Sequence, residues 1–142
     1  MKTLFTAIAI LAATFASGSA KANPVDWERP ESYLTRSQIQ EIARSSSDDE
    51  TRQVIDSMRV YPINSDLFLV NFHSPQICSI SGCSYAIYQQ DADGDLDTLF
   101  RRSLLEIDSV AVENTYRNGL PCVSLNTTRF CYDGQKYSSD RV

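Results

Sequence analysis

The side chains able to do chemistry in this sequence are few, and their spacing limits what that chemistry could be. His73 is the one histidine. It sits in Leu69-Val70-Asn71-Phe72-His73-Ser74-Pro75-Gln76, at the end of a predicted strand and next to Ser74. Nucleophilic catalysis needs a base to activate the nucleophile, and histidine is the usual one. A strand end entering a loop is also where functional residues often sit. Neighbours on a strand point to opposite faces, however, so adjacency does not make His73 and Ser74 a pair. No Gly-x-Ser-x-Gly elbow accompanies them. His73 therefore reads as a surface or capping histidine and a candidate partner contact. The alternative is a small periplasmic hydrolase in which His73 works with a carboxylate.

The densest charge cluster is Asp91-Ala92-Asp93-Gly94-Asp95-Leu96-Asp97. Alternating carboxylates are hard oxygen ligands of the kind that suit Ca²⁺. The EF-hand template nevertheless fails here: Leu96 stands where glycine is needed, and Arg102 where a glutamate should close the site. A solvated hairpin tip accounts for the same residues through turn chemistry and edge protection. Glu28 with Glu31, or Glu106 with Asp108, would serve glycoside hydrolysis only if they faced each other across a cleft. Arg101-Arg102 reads as an exposed strand face. No catalytic residue, metal site or cofactor is assigned.

All four cysteines lie in the second half, at Cys78, Cys83, Cys122 and Cys131. An even count in an exported chain reads as two disulfides. A hairpin about Asn126-Thr127 pairs Leu125 with Thr128, Ser124 with Arg129 and Val123 with Phe130, and so sets Cys122 opposite Cys131. A non-hydrogen-bonded pair places the Cα atoms about 4.5 Å apart, at the short end of disulfide geometry. Thr127 is the weak point, because a β-branched residue resists the positive φ of a type I′ turn. Cys78 and Cys83 then close a small loop in which Gly82 supplies an unusual backbone angle. Spacing shows neither Cys-x-x-Cys nor a cysteine-histidine cluster, so the cysteines read as structural.

Trp27 and the seven tyrosines are numerous for this length. Tyrosine suits interfaces and sugar stacking, and it also suits strands. Trp27 stands in a stretch poor in regular structure, so its indole either docks on the core or is offered to a partner. It is the second candidate partner contact.

The elements that position these residues follow from the periodicity. Residues 23–34 read as an irregular arm, with Asn23-Pro24 and Arg29-Pro30 breaking regular structure. Thr35-Arg36-Ser37-Gln38 fits a capping box, with Leu34 and Ile39 as a hydrophobic staple. Ile39, Ile42 and Ala43 give that helix one apolar stripe. Ser47-Asp48-Asp49-Glu50 fits a second capping box, before a helix burying Val54, Ile55 and Met58. From Arg59 the period becomes that of strands, predicted over 60–63, 67–72, 84–89, 96–104 and 110–114, with two or three more between Cys122 and Tyr137. Asp93-Gly94 and Asp133-Gly134 are hairpin signals, and the first pairs Ile87 with Phe100 and Tyr88 with Leu99. The expected fold is α+β in two layers: one antiparallel meander sheet covered on one face by two short N-terminal helices, held by two disulfides.

Location can be read from the first residues. Lys2 precedes an apolar stretch over 4–15, and Ala20-Lys21-Ala22 fits an Ala-x-Ala cleavage pattern. Residues 1–22 are therefore expected to be a signal peptide, with the arm over 23–34 and a single domain over 35–142. The apolar run is shorter than the ~20 residues of a spanning helix, so no membrane insertion is expected after cleavage. The destination would be the periplasm or the exterior, or the thylakoid lumen of a photosynthetic cell. Loss of Lys2 and Lys21 lowers thirteen basic residues to eleven against eighteen acidic ones, so the net charge of −5 becomes −7. That charge disfavours nucleic acid and anionic membranes as partners and favours a self-repelling monomer. A hydrophobic content of 42% is too high for intrinsic disorder.

Cys83-Ser84-Tyr85-Ala86-Ile87-Tyr88, Gly119-Leu120-Pro121-Cys122 and Cys131-Tyr132-Asp133-Gly134-Gln135-Lys136-Tyr137, together with Val25-Asp26-Trp27 and Ser32-Tyr33-Leu34-Thr35 in the arm, carry a resemblance. The chain resembles small exported proteins of uncharacterised function, mainly cyanobacterial, that pair such an arm with a cysteine-bearing meander. The resemblance covers most of the expected mature chain and rests on glycine turns and bridging cysteines. It implies the fold and the location, and it brings no catalytic residues. The expected role is a non-enzymatic exported domain that binds a protein or cell-envelope partner.

Overall fold

The computed structural model describes residues 23–46, 51–73, 78, 80 and 82–140. The expected signal peptide, the second capping box at Ser47 to Glu50 and Ser74 lie outside the described residues. Helix α1 (Arg36–Arg44) begins at the capping box: Thr35 Oγ1 accepts from Gln38 N–H at 3.2 Å, and Gln38 Oε1 accepts from Thr35 N–H at 2.9 Å. Helix α2 (Thr51–Ser57) follows. The described residues also form nine strands: β1 (Asn23–Pro24), β2 (Arg59–Pro62), β3 (Leu67–Asn71), β4 (Cys83–Gln90), β5 (Leu96–Leu104), β6 (Ser109–Arg117), β7 (Leu120–Leu125), β8 (Thr128–Tyr132) and β9 (Tyr137–Ser139).

The strands form two antiparallel sheets instead of the single meander expected. One has the order β2-β3-β4-β5 and the other β1-β6-β7-β8-β9. The reason lies in β3 and β4. Leu67, Leu69, Tyr85 and Ile87 alternate with Phe68, Val70, Ala86 and Tyr88, and all eight are buried. Successive side chains on a strand face opposite ways, so both faces of this sheet need cover. Phe68, Val70, Ala86 and Tyr88 pack with Leu34, Ile39, Ile42, Val54 and Met58 of the helical layer. Leu67, Leu69, Tyr85 and Ile87 pack with Val110, Val123, Leu125, Phe130 and Tyr137 of the second sheet. The result is three layers: helices, a buried sheet and an outer sheet.

The arm is not irregular throughout. Asn23 and Pro24 pair with Val110 and Ser109 at the edge of the outer sheet, and Glu28 bridges Val60 at the edge of the buried one. Main-chain bonds therefore lace one side of the two sheets together, which limits exposed strand edge there.

Both disulfides join the cysteines that spacing pairs, Cys78–Cys83 and Cys122–Cys131, the latter with Cα atoms 4.4 Å apart. The β7–β8 register is as expected: Leu125 opposes Thr128, Ser124 opposes Arg129 and Val123 opposes Phe130. The Thr127 conflict is resolved by placing only Asn126 at positive φ, 54°. Asn126 is held there by its own amide, which accepts from Asp108 N–H and donates to the Glu106 carbonyl. The turn with two positive φ angles is Asn118-Gly119, at 50° and 84°, between β6 and β7. Asn-Gly is the strongest short hairpin signal, and it defines this connection.

The β4–β5 pairing departs from the expected register. Ile87 opposes Phe100, but Tyr88 opposes Thr98, because a bulge follows Ile87. The bulge makes Asp91 to Asp95 the connecting loop. Asp91 Oδ1 accepts from the N–H groups of Asp93 and Asp95, each at 2.9 Å, so local backbone capture organises the loop. At the β8–β9 turn, Asp133 Oδ1 likewise accepts from Gln135 and Lys136 N–H, which holds its carboxyl below the usual range.

Candidate functional site

Among the described residues, two places combine exposure with convergent chemistry. The first is a corner at the ends of β3 and β4. Strand β3 pairs with β4 so that Asn71 opposes Tyr85, and the Phe72 N–H continues the ladder to the Ser84 carbonyl at 3.1 Å. Continuing that register sets His73 opposite Cys83. His73 Nδ1 lies 3.9 Å from Cys83 Sγ, and the imidazole is exposed. Cys78 closes on Cys83, which brings a histidine nitrogen and two sulfurs within 4.8 Å of one another. Linear spacing shows no cysteine-histidine cluster; the sheet register creates one. Among the described residues this is the only group of three such ligand atoms. In the disulfide the sulfurs are not thiolates, so the corner as it stands is not a metal centre.

Gly82 fixes the approach to this corner. Its φ is +121°, and a Cβ there would lie 2.0 Å from the Leu104 carbonyl oxygen. Only glycine permits the loop to pass so close to the end of β5.

The second place is an open groove of about 720 Å³ between the arm and the two helices. Leu34, Ile39 and Ile55 give it an apolar lining, and Arg36, Arg44 and Arg52 stand around it. All three arginines are exposed, and among the described residues none of them has a hydrogen bond or ion pair. Of the acidic groups at the groove, Glu31 is engaged by Arg29 at 3.3 Å, which leaves Asp56. Counting the described residues that line it, the groove is thus locally basic in a chain of net charge −5. Sequence reading misses it because the arginines are spaced over two helices and its walls depend on how those helices pack.

The other candidates lie elsewhere. Trp27 is half-buried, its ring 6.3 Å from that of Tyr85 at the edge of the inter-sheet core, so the indole is docked on the core. No carboxylate lies within 4.0 Å of His73 among the described residues. The carboxylates of Asp91, Asp93, Asp95 and Asp97 form no convergent ligand group. Arg101 bonds Ser45 and Ser46 and lies over the Phe72 ring at 5.4 Å, clamping β5 to the end of α1. On the outer sheet, Arg129 bridges Glu113 at 2.6 Å and Asp140 at 2.8 Å, and Asp140 also holds Arg117. This network ties β6 and β8 to the last described residue.

Among the described residues no helix is long and apolar enough to cross a membrane. The two disulfides fit an oxidising environment. The chain has no significant match among family models, curated proteins or solved structures.

Proposed function

We propose that this chain is an exported, non-enzymatic binding domain whose groove between the arm, α1 and α2 takes an acidic, partly apolar segment of a partner protein. The observation that carries the reading is the set of exposed guanidinium groups of Arg36, Arg44 and Arg52, without a partner among the described residues, around an apolar lining in an otherwise acidic chain. Arginine is suited to this task because its planar fork binds carboxylates in pairs. Partly buried Ile55 would receive an apolar side chain of the segment, with the edges of the core residues Leu34 and Ile39 forming the floor. The acidic remainder of the surface would repel anionic partners elsewhere and steer them to this face. Export to the periplasm or exterior is supported by the signal-like residues 1–22 and by the disulfides.

Selection of random linear peptides on the immobilised protein tests the reading. Enrichment of peptides combining Asp or Glu with apolar residues is expected, together with loss of their binding in Arg36→Glu/Arg44→Glu/Arg52→Glu. All three positions are exposed, so the variant should fold. No enrichment, or binding that survives the triple substitution, would overturn it.

A further inference from the structure

We infer that reduction of the Cys78–Cys83 disulfide converts the β3–β4 corner into a zinc site held by His73, Cys78 and Cys83. The inference is independent of the groove. Two of the three ligands are set by backbone pairing and not by the disulfide. His73 follows Phe72, whose N–H is bonded to the Ser84 carbonyl, and Cys83 pairs with Leu104 at the start of β4. Breaking the disulfide therefore leaves His73 and Cys83 opposite each other, and only Cys78 is released to adjust.

The distances suit a tetrahedral ion. Bond lengths of about 2.3 Å to sulfur and about 2.0 Å to nitrogen place a sulfur and a nitrogen ligand roughly 3.5 Å apart. The observed His73 Nδ1 to Cys83 Sγ distance is 3.9 Å. Three protein ligands would leave a fourth position for water, as in sites that keep an open coordination position. Exposure gives the ion a path: His73 is exposed and both sulfurs belong to half-buried residues. The same exposure makes this the disulfide a reductant reaches. Cys122 and Cys131 are 0% and 4% exposed and lie within the outer sheet.

The chemistry balances with a thiol reductant. A dithiol attacks one sulfur, the Cys78–Cys83 bond breaks through a mixed disulfide, and the reductant leaves as its own disulfide, having supplied two electrons and two protons. Zinc then displaces the two thiol protons, so binding releases protons and weakens as the pH falls. The corner would thus hold zinc only in the reduced protein.

Cobalt(II) is the probe, after reduction of the protein by a water-soluble trialkylphosphine. The phosphine becomes its oxide and water supplies the two thiol protons. We expect one equivalent of cobalt to give thiolate-to-metal charge-transfer bands and tetrahedral visible bands, both removed by zinc and both absent from the unreduced protein. Cys78→Ser and Cys83→Ser should abolish them. His73→Ala should weaken binding at least about as much as the 10–100-fold typical of losing an outer-shell partner. Alkylation under native conditions should label Cys78 and Cys83 and spare Cys122 and Cys131. Absence of the bands in reduced protein, an unchanged affinity in His73→Ala, or labelling of Cys122 and Cys131 ahead of the other pair would each overturn the inference.

Discussion

Gln38 in α1 donates a 2.8 Å hydrogen bond from Nε2 to the carbonyl of Gly94 in the β4–β5 loop. The same nitrogen reaches Gln90 Oε1 at 3.0 Å, and the amide oxygen accepts from Thr35 N–H. One buried amide therefore caps the helix and ties the helical layer to the hairpin beneath it. This bond also explains how the acidic loop is used: its glycine carbonyl serves packing, and Asp91 is spent on the loop's own backbone.

Replacing Gln38 with Ala removes a cap partner and leaves the Gly94 carbonyl without its donor. A lost cap costs about 1 kcal/mol and an unsatisfied group about 1–3 kcal/mol. We expect Gln38→Ala to destabilise the protein by about 2–3 kcal/mol in urea titrations, against about 1 kcal/mol for Thr35→Ala, which affects the cap alone. Equal losses in the two variants would show that the tie to the hairpin contributes nothing.

Gly82→Ala should be the most damaging alanine substitution among the four described glycines. The new Cβ would sit 2.0 Å from the Leu104 oxygen, at a φ of +121°. Backbone strain alone is worth about 1–3 kcal/mol, and the main-chain overlap forces the loop away from β5. We expect a loss of about 3 kcal/mol or more by chemical denaturation. Gly119→Ala is the control: its φ is +84° but nothing lies within 4 Å of the added carbon, so its cost should stay near about 1–2 kcal/mol.

What the sequence made legible was local and periodic. The capping box at Thr35 and Gln38, the register about Asn126 and the cysteine pairing all follow from short-range rules that packing did not override. The second sheet did not follow from them. A continuous run such as Leu67-Phe68-Leu69-Val70 states that both faces are buried without stating what buries them. The Tyr88 register slipped for a related reason, since a bulge moves partners by one residue and leaves no mark in an apolar run. His73 and Cys83 meet through strand pairing across ten positions of sequence. Their proximity becomes visible only once the β3–β4 register is known.

The Cys122–Cys131 bridge joins two strands already paired and is buried between them. Constraint of the unfolded chain gives such a bridge about 2–4 kcal/mol. We expect Cys122→Ala/Cys131→Ala to lose about that amount in denaturant titrations, and non-reducing peptide maps of the native protein to link Cys122 with Cys131. A peptide joining Cys78 to Cys122 would show the β7–β8 register to be wrong.

Alkaline pH should unfold the protein through its buried phenols. Tyr137 donates from its hydroxyl to the Pro121 carbonyl at 2.8 Å, and Tyr85 accepts there from the Ile107 N–H at 3.1 Å. Burial pushes both hydroxyls above the ordinary tyrosine value, Tyr137 the further. The unfolded chain releases these protons near pH ~10, whereas the folded chain retains them to higher pH. The folded state therefore binds more protons above that point, so stability is fully present below pH ~10 and falls as the pH rises through the folded values. Each retained proton contributes a slope of up to about 1.4 kcal/mol per pH unit. Urea midpoints should accordingly be level on the neutral side and decline above pH ~10. Tyr137→Phe should cost about 1–2 kcal/mol at neutral pH, because the Pro121 carbonyl loses its donor, and should flatten the alkaline decline. A decline of unchanged steepness in that variant would place the alkaline sensitivity outside Tyr137.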